Sequence, residues 1–428
     1  MKLRFVCRIL AAILLAIFWT VPVQAEEFFF RDGDLIVMIG NSITEQHLYS
    51  NYVEMWAVTR FPNWKLRFRN VGIGGDRSTG GNQRFQRDVI SFKPTAMTVD
   101  FGMNDGNYQP YTNESFQIYM NGLQGMADQA QAAKIRVAWI TPNPMENQEN
   151  GPALSGYNKT LEQFSAGVRE IAEKNRGLFI DQFHPFIEAQ NIARAANPGN
   201  RIFGEGADPV HPGPPGQALM AWAILKGMHF PSLVASVEIE AGTDQPSGKT
   251  QNCRVTHLQR KNDGLVFEQE DAALPFFPDQ ATAILRWAPI LDELNQYRLK
   301  VTGLKAGHYE IRLGGKKVAE HSHTELAAGV NLAAAVLKIG PVAEQVKRVW
   351  EAVQAKNTYY HDRIFRGVVL VQVHLPDFLD LNLSREEIEA KRQAAIAARL
   401  RKMPELDAAI QKALAMHPHQ MEIVRVEK

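Results

Sequence analysis

The first half of the chain alternates short apolar runs with longer amphipathic segments. The apolar runs are brief and are bounded by Gly, Asn or Pro, as buried strands are; they cover 34–39, 66–71, 95–101, 136–141 and 178–181. The segments between them have the length and apolar spacing of helices and cover 45–60, 81–92, 114–133, 157–174 and 216–228. This alternation predicts an α/β fold in which helices cover both faces of a parallel sheet.

The pattern changes after residue 230. Shorter runs separated by turn sequences such as Lys261-Asn262-Asp263-Gly264 predict strands at 234–239, 253–258, 265–270, 297–301 and 309–313. The last hundred residues favour helices, most clearly at 341–356 and 384–402, where Ser384 and Glu387 have the spacing of a capping box. We therefore expect an α/β domain over 26–231, a small antiparallel β domain over 232–330 and a helical region over 331–428.

Two segments of the second half each allow two interpretations. The aromatic loop 274–278 either lines a crevice or fills a contact between domains, and we favour the contact. The charged helix predicted at 384–402 is either a solvated surface helix, which we favour, or an arm that binds a partner.

The N-terminus resembles a secretory signal peptide. Lys2 and Arg4 precede an apolar run of about ten residues, about half the length of a membrane-spanning helix, and Ala25 marks the expected cleavage point. The alternative is an uncleaved anchor. Cleavage would remove Cys7 and leave Cys253 as the one cysteine, which excludes an intrachain disulfide. We expect a secreted or periplasmic protein.

The net charge gives no support to two classes of partner. The formal net charge of +1 would become −2 once the three basic residues before Ala25 are removed, so neither nucleic acid nor anionic lipid is favoured. The chain has 428 residues and 45% hydrophobic content, enough for more than one core without disulfides. We expect no membrane span after processing, and the oligomeric state is left open.

Four polar stretches of the first half contain the groups that a serine hydrolase needs. They are 40–44, 70–76, 102–105 and 208–211. Ser42, Gly75 and Asn104 follow the first, second and third predicted strands, and in open parallel sheets the ligand crevice lies beyond the carboxyl ends of the strands. Three separate stretches should therefore meet in one crevice.

A hydroxyl nucleophile requires a base, a group that orients the base, and donors for the oxyanion. His211 lies between Pro209 and Pro212, which restrict the backbone around it, and Asp208 is three residues earlier. That spacing lets a carboxylate reach Nδ1 of the imidazole. We treat His47, His184, His229 and His257 as structural because they lack such a setting. No cluster of residues has convincing metal spacing, so we expect neither a metal nor another cofactor.

Each stretch also has a plainer interpretation. Ser42 could cap the helix that follows it, and the Gly102–Asp105 stretch could be an ordinary turn, since Asn and Asp favour turns. The loop 72–76 could be a tight turn or a phosphate loop, but Arg77 occupies the position where the dinucleotide fingerprint requires glycine. Either Gly74 or Gly75 could supply an exposed N–H group.

The order and spacing of the four stretches resemble the SGNH or GDSL hydrolases, over about half of the chain. The resemblance implies a flavodoxin-like three-layer fold with Ser42 as nucleophile, His211 as base and Asp208 as its partner. It also implies an oxyanion hole formed by the Ser42 and Gly75 N–H groups and the Asn104 amide. The first stretch departs from the family pattern because Asn41 replaces the usual aspartate.

The resulting hypothesis is a serine ester hydrolase that works through an acyl-enzyme, with small O-acetyl groups on carbohydrate as its leading substrate. The alternatives are a general short-chain esterase, a lysophospholipase or thioesterase, and a glycan-binding envelope protein without catalysis.

Overall fold

The computed structural model describes residues 27–146, 152–199, 201–206, 208–242, 245–371 and 384–426. The strands are β1 (Leu35–Gly40), β2 (Arg67–Asn70), β3 (Ala96–Asp100), β4 (Arg136–Ile140), β5 (Leu178–Ile180), β6 (Gly204–Glu205), β7 (Asp208–Pro212), β8 (Leu233–Glu240), β9 (Ser247–Gln251), β10 (Cys253–Lys261), β11 (Gly264–Asp271), β12 (Gln296–Thr302), β13 (His308–Leu313), β14 (Lys316–Ser322), β15 (Val330–Asn331) and β16 (His419–Arg425).

The α-helices are α1 (Ser42–Glu45), α2 (Leu48–Arg60), α3 (Ser78–Asp88), α4 (Asn113–Ala132), α5 (Asn158–Lys174), α6 (Phe183–Ala196), α7 (Pro214–Gly227), α8 (Ile290–Leu294), α9 (His323–Ala328), α10 (Ala333–Val336), α11 (Pro341–Tyr359), α12 (Arg385–Leu400) and α13 (Met403–Ala413). Two 3₁₀ segments, Ile90–Phe92 and Asp279–Arg286, and a π-helical segment, Tyr360–Val369, complete the elements.

The first five strands form one parallel sheet in the order β2-β1-β3-β4-β5. Side chains of β1 alternate between two hydrophobic cores: Ile36 and Met38 pack in the core that contains α2, α6 and α7, whereas Val37 and Ile39 pack in the core of α3, α4 and α5. Successive side chains of a strand point to opposite faces, so this distribution means that both faces are covered. The predicted three-layer α/β fold is confirmed.

The second half adds two further sheets, and the predicted β domain and C-terminal helices are confirmed as additions to the α/β fold. One sheet has the order β10-β11-β16-β13-β14 and the other β15-β12-β8-β9. The predicted domain limits at residues 231 and 330 remain predictions.

Two features of the second half differ from the sequence pattern. The pair β8 and β12 is parallel, not antiparallel, because a long connection lies between the two strands and brings the second back in the same direction. The region predicted as helical ends in β16, which inserts between β11 and β13. Met421 and Ile423 of β16 are buried in the core, and this burial fixes the strand there.

The C-terminal helices pack against the parallel-sheet domain. Phe276 of the aromatic loop is 2% exposed and lies edge-on to Trp56 of α2 and stacked on Trp350 of α11. The loop therefore fills a contact between domains, as we favoured. Lys356 of α11, which is also buried, forms an ion pair with buried Glu54 of α2.

The predicted signal peptide, residues 1–25, lies outside the described residues. Within the described ranges, no helix has both the length and the apolar character that a membrane span requires.

Candidate active site

Ser42 follows the carboxyl end of β1 and is the first residue of helix α1. Asn41 is the N-cap of α1, and its Oδ1 accepts the N–H of Ile43 at 2.9 Å. The asparagine that replaces the family's aspartate therefore still caps the turn. Gly40 makes the tight turn sterically feasible: a Cβ there would lie 2.1 Å from Thr44 Oγ1 and 2.6 Å from the Asp100 carbonyl oxygen.

His211 lies on β7, opposite Ser42. Its Nε2 is 2.8 Å from Ser42 Oγ, and its Nδ1 is 2.6 Å from Asp208 Oδ2. The other oxygen of Asp208 accepts the backbone N–H groups of Val210 at 2.8 Å and of His211 at 3.3 Å. The structure thus brings the three residues predicted as nucleophile, base and acid into one continuous hydrogen-bonded series.

The hydrogen bonds hold Asp208 in its ionised form. Burial acts to raise the pKa of Asp208, but the hydrogen bonds from the His211 side chain and from the two backbone N–H groups outweigh it and lower the pKa below its usual value. A carboxylate beside Nδ1 favours the tautomer in which Nε2 is free to accept a proton from Ser42.

Gly75 lies in the exposed loop that follows β2. Its φ of +73° is in the left-handed region that favours glycine, and nothing lies within 4 Å of the position where a Cβ would be. A Cβ on Gly74 would instead lie 3.0 Å from Glu45 Oε2. Of the two glycines that the sequence left open, Gly75 is the one with open space beside its backbone.

Asn104 approaches the same loop from the carboxyl end of β3. Its Nδ2 donates to the Asp76 carbonyl oxygen at 2.9 Å, and its Oδ1 accepts from the Tyr108 hydroxyl at 2.7 Å. The side chain is 8% exposed. The second N–H of this amide is not used by either contact, so the amide retains one donor.

Two buried carboxyl groups support these loops. Asp105 accepts the Ser78 N–H at 2.9 Å and the Gly102 N–H at 3.0 Å, which ties the start of α3 to the loop after β3. Burial raises the pKa of Asp105 to about 6 and that of Asp100, at the end of β3, to about 7. Asp105 therefore anchors the loop.

Arg84 of α3 is a supporting residue that the sequence did not indicate. Its buried guanidinium contacts Asp76 Oδ2 at 2.7 Å, the Val71 carbonyl at 2.6 Å and the Gly40 carbonyl at 3.1 Å. One side chain thereby joins the ends of β1 and β2 to the glycine loop. An arginine in a helix gives no sequence signal for such a role, because the three partners meet only in the fold.

The π-helical segment 360–369 flanks the nucleophile turn, which the sequence also did not indicate. Arg366 donates to Glu45 Oε1 at 2.8 Å through Nε, and the ring of His361 lies edge-on to His47, with 4.6 Å between centroids. Burial and then the neighbouring His361 lower the pKa of His47 to about 3, so this ring is neutral at physiological pH. The C-terminal region thus packs against the turn that carries Ser42.

The other histidines require one correction. His184 also has a carboxylate three residues earlier, because its Nδ1 lies 2.7 Å from Asp181 Oδ2, so spacing alone did not set His211 apart. The imidazole of His184 is 57% exposed, and its Nε2 faces Glu162 at 3.7 Å. The distinguishing feature is the serine at Nε2, which only the fold reveals. Within the described residues, no group of three potential metal ligands converges.

Comparison with known proteins identifies a family for the first half of the chain. Residues 38–219 match the model of the GDSL-like Lipase/Acylhydrolase family. This domain is an SGNH/GDSL hydrolase. The match begins within β1 and ends within α7. It includes the five predicted site residues, which are Ser42, Gly75, Asn104, Asp208 and His211. The predicted family and the prediction of a GDSL-type esterase are confirmed.

Individual relatives resemble either the domain or the whole chain. An acetylxylan esterase of Geobacillus stearothermophilus is 25% identical over 220 residues, which are 46% of this chain and 95% of that protein. The solved structure of BT4096, a gut microbial diltiazem-metabolizing enzyme, has a TM-score of 0.78 and 24% identity, and the match covers 93% of this chain and 98% of that one. The fold of the added β and helical regions therefore recurs in a second protein.

A crystal structure of the acetylxylan esterase Axe2 from Geobacillus stearothermophilus also matches, with a TM-score of 0.40 and 24% identity. That match covers 47% of this chain and 97% of Axe2.

Proposed function

We propose that this chain is a secreted or periplasmic serine ester hydrolase that removes small acyl groups, foremost O-acetyl groups, from carbohydrate. The observation that carries the proposal is the hydrogen-bonded series from Asp208 through His211 to Ser42, with 2.6 Å and 2.8 Å between the heavy atoms. The acetylxylan esterase that is similar to this domain supports acetylated carbohydrate as the substrate class. The predicted signal peptide supports export.

In the proposed first step, Ser42 Oγ attacks the ester carbonyl while His211 Nε2 accepts the hydroxyl proton. Asp208 stabilises the imidazolium that forms. The carbonyl oxygen, now an anion, receives hydrogen bonds from the N–H groups of Ser42 and Gly75 and from the free N–H of Asn104. Ser42 is the first residue of α1, so its N–H has no acceptor within the helix.

Collapse of the tetrahedral intermediate breaks the bond to the sugar oxygen, which takes the proton from His211 and leaves as the alcohol. An acetyl group then remains on Ser42. Water attacks this acyl-enzyme while His211 accepts one of its protons, and a second collapse releases acetic acid and restores the Ser42 hydroxyl. Every proton passes through one imidazole nitrogen, the one that faces Ser42.

The test measures acetate release from acetylated xylo-oligosaccharides beside p-nitrophenyl acetate, p-nitrophenyl octanoate and a lysophospholipid. The proposal predicts a higher kcat/KM for the acetylated sugars and for acetate over octanoate. Ser42→Ala should remove the activity, whereas Ser91→Ala should leave it unchanged because Ser91 is exposed and bonds to the Arg87 carbonyl. Preference for octanoate or the lysophospholipid would reject the substrate class, and binding of the sugar without acetate release would reject the enzyme.

A further inference from the structure

Tyr108 lies in the loop that follows β3, four residues after Asn104. Its ring is 45% exposed and rests at 5.3 Å, centroid to centroid, on Tyr157 of the neighbouring loop. Its hydroxyl turns inward and lies 2.7 Å from Asn104 Oδ1. The roles described above for the triad and the oxyanion donors do not account for this tyrosine.

The hydrogen-bond network fixes the direction of the contact between Tyr108 and Asn104. The carbonyl oxygen of Asp76 can only accept, so the Asn104 atom 2.9 Å from it must be the amide nitrogen. The atom that faces Tyr108 is then the amide oxygen, and the phenol must be the donor. Rotation of the amide by 180° would place its oxygen against the Asp76 carbonyl oxygen and lose that hydrogen bond.

The phenol is suited to remain that donor. Burial and then the charge of Asp208 raise the pKa of Tyr108, so its hydroxyl keeps its proton throughout the neutral and mildly alkaline range.

The backbone holds Tyr108 in an uncommon conformation. Asn107 and Tyr108 have φ values of 53° and 59°, and two successive non-glycine residues in the left-handed region are unfavourable. Arg77 donates to the Asn107 side chain, Asn107 N–H donates to the Asn104 carbonyl at 3.2 Å, and these contacts maintain the turn. Strain that is retained by specific contacts is concentrated at functional sites.

We propose that Tyr108 is a positioning residue for the ester hydrolysis: its hydroxyl holds the Asn104 amide so that the free N–H faces the oxyanion. This inference rests on the proposed function. The loop after β3 then has two roles, because it supplies Asn104 and also orients the Asn104 amide. The tyrosine stays outside the reacting atoms and acts only through the amide that it orients.

The test is a double-mutant cycle on Tyr108 and Asn104, with p-nitrophenyl acetate as the substrate. Tyr108→Phe keeps the ring and removes the donor, so kcat should fall by about 3- to 10-fold, the effect of one hydrogen bond, with KM changed less than about twofold. In the Asn104→Ala background the same change should have an effect below about 1.5-fold, because the oriented group is absent. Tyr108→Asn tolerates the left-handed backbone and lacks the phenol, so it should show the same dependence on Asn104.

Two controls separate positioning from a general effect on the loop. Tyr111→Phe removes another exposed hydroxyl of this loop, one with no hydrogen-bond partner among the residues that the structure describes, and should leave kcat unchanged. Tyr157→Phe removes the hydroxyl that donates to the Met103 carbonyl at 2.9 Å. The kcat of this variant measures how much weaker anchoring of the loop affects the reaction. Circular dichroism and thermal unfolding confirm that each variant is folded.

The outcomes for the two proposals are distinct. If the wild-type chain hydrolyses no ester, the proposed function fails, and the positioning role fails with it. If the wild type is active and depends on Ser42, but Tyr108→Phe has normal kcat, only the positioning role fails. An equal loss from Tyr108→Phe with and without Asn104 would likewise overturn it, because the two side chains would then act independently.

Discussion

The ion pair between Lys356 and Glu54 gives a quantitative test of how the C-terminal region is joined to the hydrolase domain. The two side chains are 1% and 2% exposed. Asn357 Nδ2 donates to the other Glu54 oxygen at 2.8 Å, and the Lys356 ammonium lies 5.8 Å above the Phe68 ring. Since the aliphatic stem of lysine and the side chain of methionine are similar in shape, Lys356→Met removes the charge and little else.

The predicted loss of stability follows from this burial. Glu54 would keep one neutral hydrogen bond and would be a buried carboxylate without a counter-charge, and breaking one side of such a pair costs about 3–5 kcal/mol. Glu54→Gln in the Lys356→Met background removes the unpaired charge and preserves an acceptor for Asn357. The double variant should therefore recover more than half of the loss.

Unfolding in urea, followed by circular dichroism, measures these free energies. Lys347→Met is the matched control, because Lys347 is an exposed lysine of the same helix and its replacement should change the free energy of unfolding by less than about 0.5 kcal/mol. If Lys356→Met lowers the free energy of unfolding by less than about 1 kcal/mol, the buried pair does not have the predicted effect on stability. A double variant as unstable as the single variant would contradict the prediction in the same way.

Three further predictions concern the site itself. Asn104→Ala should lower kcat for acetyl esters by about 10²- to 10³-fold without loss of folded structure, as expected for one oxyanion donor, and a wild-type rate would exclude that role. The Asp100 carboxyl has a pKa of about 7 in the folded protein, whereas in the unfolded chain it releases its proton at about pH 4. Between about pH 4 and 7 the unfolded chain is therefore favoured increasingly, and the wild type should lose stability as the pH rises through this range. Asp100→Asn stays neutral and can still accept from Gln182; thermal unfolding should show it more stable by up to roughly 4 kcal/mol at pH 8 and nearly equal at pH 4. Gly40→Ala should remove esterase activity, because its Cβ would overlap Thr44 and the Asp100 carbonyl, and an active, stable variant would contradict the close approach.

The sequence was informative where function places specific residue types at the ends of strands. The five apolar runs mark β1 to β5 within one residue at each end. Ser42, Gly75 and Asn104 lie in the segments that follow those ends. The three-residue spacing of Asp208 and His211 indicated a His–Asp pair, but the same spacing occurs at Asp181 and His184, so it did not identify the pair by itself. Local rules are sufficient there, because a strand followed by a turn has a recognisable pattern and the carboxyl ends of parallel strands share one edge.

The features that the sequence did not indicate depend on tertiary contacts. Helix α6 is the exception, since it was missed for a local reason: it contains Pro185, which argues against a helix in general but is tolerated in the first turn, where no N–H donor is required. Strand β16 exists because β11 and β13, more than a hundred residues earlier, offer it two edges. The roles of Arg84 and Tyr108 depend on partners from separate loops, which no local pattern connects.

Covalent labelling shows most directly whether Ser42 is a nucleophile activated by His211. The folded protein is treated with a fluorophosphonate probe at about pH 8, and the modified peptide is identified by mass spectrometry. We expect one adduct on Ser42, which disappears in Ser42→Ala and is strongly reduced in His211→Gln. A folded wild-type protein that is not labelled, or an adduct on another residue, would contradict it.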